Sequence, residues 1–353
     1  MNGEPISHRI FIERLVIAII VIGIALLLWN LRGLFMLVFG AVLVSVILNL
    51  VAEPIRERLR VPDWAALLAA VVLVAGIIVL AVWTFGAQIS RQTGALREMI
   101  PQAWMALEAR LDLWGLGDAV RQWSTSIGAG GGVVANLGNI AVSVGNGIAD
   151  TLLVIVGGIY LAAQPELYRV GMIKLVPERG RALAAQALEA SARGLRLWLL
   201  GRMVSMIVVG LLSWLGLLII GVPSALALGL LAALLEFVPF IGPIIAAIPA
   251  ILLAFAESPE QAIWTALLFL VIQQFEGNIL EPLVQQRAVD LPPALLLFAL
   301  VAGGLVFGIV GVILAAPFTV VTYVMVKRLY VQEALNTPTP LPGEGNQAKP
   351  AES

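Results

Sequence analysis

Cysteine is absent from this chain, and its only histidine is His8. Without thiols there is no disulfide, no thiolate nucleophile and no cysteine metal site. Without further imidazoles, histidine-based zinc chemistry has no ligands. Charge is also scarce. Asp, Glu, Lys and Arg make up 12% of the residues, about half the ~25% of a soluble domain. The net charge of −1 argues against a nucleic-acid partner. A phosphate-binding loop is missing too. Gly128-Ala129-Gly130-Gly131-Gly132 leads into Val133-Val134 rather than Lys and Ser or Thr, so a nucleotide-driven pump is not expected. No paired membrane aspartates and no Ser/His pair stand at membrane depth, which argues against an intramembrane enzyme. No cofactor and no metal are expected.

What the chain has in abundance is apolar sequence: 60% of its residues are hydrophobic and the mean hydropathy is +1.00. This predicts an all-α, polytopic helical membrane protein with the lipid bilayer as its first partner. Arg9 and Arg14 precede a first apolar run without a small-residue cleavage site, so that run reads as a retained span. About eight membrane segments are expected, near 15–29, 33–51, 64–87, 149–163, 203–222, 225–256, 262–283 and 294–326. The chain then divides into an N-terminus (1–14), three membrane segments (15–87), an amphipathic section (88–148), a fourth segment (149–163), a second amphipathic section (164–201), a core transport region with broken segments (202–330) and a disordered tail (331–353).

Basic residues orient this plan. Arg56, Arg58 and Arg60, then Arg169 through Arg196, then Lys327 and Arg328 fall on one side with both termini, which the positive-inside rule makes cytoplasmic. Residues 88–148 are then external. Leu96, Ile100, Trp104, Leu107, Leu111 and Trp114 form one helical face there, suited to a membrane surface or to a subunit contact. Residues 178–200 are amphipathic as well, and read as an interfacial helix whose arginines face lipid phosphates.

The chemistry concentrates in the second half. Glu236, Pro239, Gly242 and Pro243 interrupt the apolar run 225–256. Proline breaks a helix, and a break inside hydrocarbon is tolerated only where protein or a water-filled cavity satisfies the freed backbone. An ionisable residue beside it is by default a candidate substrate or ion site. The run is too long for a straight span, as is 294–326, punctuated by Gly303, Gly304, Gly308, Gly311 and Pro317. Each run can cross once with a kink, or return as a re-entrant hairpin. Between them lie Gln273, Gln274, Glu276, Asn278 and Glu281. Gln274, Asn278 and Glu281 share one helix face and are expected to point inward. An apolar site disfavours the charged form of a carboxylate. Glu236 and Glu276 are therefore candidates for coupling protonation to alternating access.

Four elements occur in an order that resembles the autoinducer-2 exporter family of bacterial permeases. They are Leu235-Glu236-Phe237-Val238-Pro239-Phe240-Ile241-Gly242-Pro243, then Gln274-Phe275-Glu276-Gly277-Asn278-Ile279-Leu280-Glu281-Pro282, then Leu291-Pro292-Pro293, and finally Gly303-Gly304 through Leu314-Ala315-Ala316-Pro317. The resemblance spans about residues 10–330. It implies a multi-pass bacterial inner-membrane carrier, assembled as a homo-oligomer, that exports a small solute. The furanone-type quorum-sensing signal autoinducer-2 is the family's namesake substrate, and sodium–proton antiport is described for some members. The expected function is proton-coupled export by a secondary carrier. Sodium–proton antiport and a gradient-independent channel remain as alternatives.

Overall fold

The computed structural model describes residues 8–80, 83, 149–285, 291–337 and 339. The amphipathic section 88–148, its glycine turn, Arg287 and the tail from 340 lie outside the described residues. All described secondary structure is helical. The elements are α1 (His8–Asn30), α2 (Arg32–Leu59), α3 (Asp63–Leu80), α4 (Ala149–Ala163), α5 (Pro165–Lys174), α6 (Arg181–Ile220), α7 (Ala225–Leu235), α8 (Ile241–Glu257), α9 (Pro259–Phe275) and α10 (Pro293–Val326). Among the described residues five helical stretches are long and apolar enough to cross a membrane, or six if α4 and α5, bent by 91°, count as one. The chain is a polytopic helical membrane protein. Its large apolar side chains face outward along α1, where Ile17, Ile20, Leu26 and Trp29 are all exposed, as a lipid-facing helix requires.

Helix α6 organises the bundle. Its 40 residues span about 60 Å at ~1.5 Å per residue. It runs unbroken through Gly201, so the boundary expected at 201/202 falls inside a single helix. The apolar face expected to lie on the membrane surface packs on protein instead. Leu195 and Leu199 join Leu43 and Leu50 of α2 in one cluster, and Ala190 and Trp198 pack against Leu296, Val320 and Val324 of α10. Arg196 is paired with Glu53 of α2 rather than left to lipid. A buried partner of matching shape wins because the same apolar stripe that would suit an interface is also continuous with the membrane-spanning half. The helix stops at Gly221, whose φ of 83° closes a left-handed cap on the carbonyls of Leu217 and Leu218.

Two hairpins follow. Helices α7 and α8 fold back on each other, because Ala225 and Leu228 at the start of α7 share a cluster with Ala250, Leu253 and Ala254 near the end of α8. Helix α10 is interrupted at Gly308 (φ 64°, ψ −145°), a conformation open essentially to glycine. Gly303 and Gly311 then meet backbone to backbone across the turn, with a Cβ on Gly303 falling 2.7 Å from the Gly311 carbonyl oxygen. Leu296 packs with Ala316 and Val320 on the returning arm. Both long runs therefore return; neither is a kinked crossing. They enter from opposite ends of α6. The α7–α8 hairpin starts where α6 ends, and the α10 hairpin starts beside Ala190 and Trp198. The coil continues past Val326 as Lys327–Ala334, so residues 331–334 are helical rather than tail.

Helix α9 begins at a capped turn. Ser258 accepts a hydrogen bond from the Gln261 backbone at 3.1 Å, and Pro259 occupies the first helical position. This end lies beside the end of α6, since a Cβ on Gly221 would meet the Gln261 side chain. Single cysteines at Ser224 and at Ser258 are thus expected to react with a membrane-impermeant maleimide from the same side. Labelling from opposite sides would sink the hairpin topology, and no native thiol needs removal first.

Candidate functional site

The tip of the α7–α8 hairpin is a strained turn. The Ile241 N–H donates to the Pro239 carbonyl oxygen at 2.7 Å, and Phe240 between them has φ 64° and ψ −46°. That is a γ-turn of the rare, strained hand. Such conformations cost about 1–3 kcal/mol and persist where the surroundings over-determine them. Pro243 sits in the first turn of α8, where its missing N–H costs no helical bond. Gly242 is demanded by close approach, as a Cβ there would lie 1.9 Å from the Leu235 carbonyl oxygen.

This turn holds Glu236 in the protein interior, its side chain 1% exposed. Its partner comes from α6. Arg202 Nη2 lies 2.8 Å from Glu236 Oε1, and Nη1 lies 3.3 Å from Glu276 Oε1. Glu276 opens the π-helical turn that continues α9, and Gln273 of α9 donates to its other oxygen at 3.4 Å. One guanidinium thus joins two carboxylates from a hairpin tip and a neighbouring helix. All three side chains are at most 12% exposed. Arg202 and Glu276 stand 18 and 17 residues from the shared end of α6 and α9. At ~1.5 Å per residue that is roughly 26 Å of helix, most of a ~30 Å hydrocarbon core.

The cluster is incompletely satisfied. Glu236 Oε1 is ion-paired with Arg202, and among the described residues no aligned hydrogen-bond donor reaches either Glu236 oxygen. With both carboxylates ionised, two negative charges face one positive charge. Burying an ion without full compensation costs several kcal/mol. The arrangement therefore favours taking up a proton, a small cation or a ligand donor.

The expected residues divide accordingly. Glu236, Glu276 and Gln273 come together, with Pro239, Gly242 and Pro243 shaping the turn. Gln274 and Asn278 do not point inward. They are exposed, and Asn278 donates to both the backbone and the side-chain oxygen of Gln274 at 2.9 Å. Ile272, Glu276 and Leu280, spaced four apart, form the buried face of this stretch, so Gln274 and Asn278 fall on the opposite side of the helix. A π-helical turn covers Glu276–Leu280. Glu281 follows it, exposed yet within electrostatic reach of Glu276 and Arg202. Sequence reasoning missed Arg202. Its signal is a lone basic residue heading an apolar run, Gly201-Arg202-Met203, which needs an acidic partner if it enters the membrane.

Residues 15–330 match the sequence profile of the AI-2E family transporter. Two similar proteins of Bacillus subtilis (strain 168), YueF and YrrI, are named as candidate transport proteins. YueF is 30% identical over 159 residues, 45% of this chain and 42% of YueF. YrrI is 31% identical over 166 residues, 47% of each chain. The AI-2 transport protein TqsA of Escherichia coli (strain K12) is 27% identical over 296 residues, 82% of this chain and 84% of TqsA. The chain thus matches less than half the length of the two Bacillus proteins.

Proposed function

This chain belongs to the AI-2E family of transporters, and from that membership we propose that it is a proton-coupled secondary carrier exporting a small polar solute of the autoinducer-2 type. The reading rests on one observation above the rest: Glu236, buried at a strained re-entrant tip, shares Arg202 with Glu276 and, among the described residues, receives no other aligned donor. Protonation of one carboxylate would leave the cluster electrically neutral, with Arg202 balancing the other. Loss of that proton restores an excess negative charge that the interior tolerates poorly. The two charge states therefore favour different packings of the hairpin tip against α6 and α9, which is what alternating access requires. Two hairpins entering from opposite ends, as here, are the elements that secondary transporters use to build such sites. The inner membrane of a bacterium, with both termini cytoplasmic, and assembly as a homo-oligomer belong to the same proposal. The first is supported by the Lys and Arg clusters after α2, in α5–α6 and after α10.

The test is accumulation of autoinducer-2 in proteoliposomes with and without an imposed proton gradient. Saturable, gradient-driven accumulation is expected. Glu236→Gln and Glu276→Gln should each lower it by at least about tenfold, the effect of one lost charge-assisted contact. If both variants transport like the wild type, the coupling role is refuted. If the wild type moves sodium against protons and not autoinducer-2, the same carboxylates serve cation exchange.

A further inference from the structure

A second polar site lies far from Glu236 in sequence and on other helices. A cavity of about 820 Å³ opens between the C-terminal part of α2, the start of α3 and the end of α4, within the ~300–1,000 Å³ range of ligand sites. Its lining is mixed in chemistry. Asn49, Glu53 and Arg56 of α2 and Asp63 of α3 supply polar groups, and Leu67 and Ile159 supply apolar ones. Arg56 Nη1 reaches Asp63 Oδ1 at 3.1 Å across the helix boundary. Glu53 is engaged by Arg196 of α6. With Arg196 counted, two cations and two anions stand at this site and cancel overall. Trp64 stands beside them, 70% exposed, in the manner of an aromatic anchor at a membrane–water interface. Leu68 lines the cavity and is itself exposed, so apolar lining continues onto the outer surface of α3.

We propose that this cavity is a headgroup site for a zwitterionic phospholipid of the phosphoethanolamine type. Charge complementarity selects the occupant. A phosphate accepts charge-assisted hydrogen bonds from Arg56, with Asn49 as a further donor. The neighbouring ammonium donates to Asp63 and Glu53, which a purely anionic headgroup would leave facing more negative charge. The acyl chains run over Leu67 and Leu68. The Arg56–Asp63 bridge is exposed, with Arg56 49% and Asp63 84% accessible, so it is weak as a surface pair and is easily exchanged for paired contacts to the headgroup.

Native mass spectrometry of the purified full chain, with phosphatidylethanolamine and phosphatidylglycerol of identical acyl chains added in turn, tests the assignment. The wild type is expected to retain phosphatidylethanolamine about tenfold more strongly. Arg56→Ala with Asp63→Ala should erase the difference. The exchanged pair, Arg56→Asp with Asp63→Arg, keeps both signs at the site and should retain the preference, which separates recognition from loss of fold. Equal retention of the two lipids by the wild type overturns the proposal, as does a preference that survives the double alanine change. Preference for phosphatidylglycerol also overturns it, and would assign an anionic lipid instead.

Discussion

Arg202→Gln should abolish gradient-driven transport and destabilise the folded protein by about 3–5 kcal/mol, the penalty for leaving a buried charge unpaired. Arg202 is the cation that Glu236 and Glu276 share at 2.8 and 3.3 Å, and Glu236 is fully buried at its hairpin tip. The informative comparison is Arg202→Gln combined with both Glu236→Gln and Glu276→Gln. Replacing a whole buried ionic cluster is often nearly neutral, whereas removing one partner is not. The triple variant is therefore expected to regain most of the thermal stability and none of the transport. Melting in detergent, followed by tryptophan fluorescence, reads the first quantity, and proteoliposome flux the second. Equal melting temperatures for the wild type and Arg202→Gln would show that the three groups are not energetically joined.

The second large effect concerns backbone rather than charge. Gly242→Ala and Gly311→Ala each place a methyl group against a carbonyl oxygen, 1.9 Å from Leu235 and 2.0 Å from Gly303. Neither obstacle is a flexible side chain, so one hairpin arm has to move as a unit. A loss of about 4 kcal/mol or more is expected for each, in the exceptional class of point substitutions. Gly23→Ala and Gly33→Ala, where a Cβ meets nothing within 4 Å, serve as controls. Folded yield by size-exclusion chromatography distinguishes the two groups. A monodisperse, active Gly242→Ala protein would mean that the hairpin tip is not as tight as described.

Much of this arrangement was legible because bilayer chemistry is unforgiving. A glutamate beside two prolines and a glycine in an apolar run leaves few physical options, and Glu236 sits where those options converge. The opposed hairpins were one of two threadings open to the sequence. What chooses between them is short-range geometry: the φ of Gly308 and the contact between Gly303 and Gly311, which hydropathy does not encode. Gln274 and Asn278 were misplaced because the polar face they share was taken as the inward one, whereas the buried face runs through Ile272, Glu276 and Leu280. Arg202 escaped notice because it lies where a charged stretch gives way to an apolar one. Counting buried acids and asking which cation compensates them would have led to it.

The short arms of the first hairpin also bear on how the protein is made. Helix α7 has 11 residues and α8 has 17, each below the ~20 that integrate as independent spans. Neither arm is suited to leaving the insertion machinery for lipid alone, with Glu236 and the open peptide groups of the tip exposed to hydrocarbon. Synthesis delivers α6 before the hairpin, so Arg202 is already present when Glu236 emerges. The flanking wall from α9 arrives only afterwards, and Glu276 comes last of the three. Biogenesis is therefore ordered: the hairpin is held against α6 until α9 closes over it, and the interval between those two events is when the nascent chain is most open to membrane quality-control proteases.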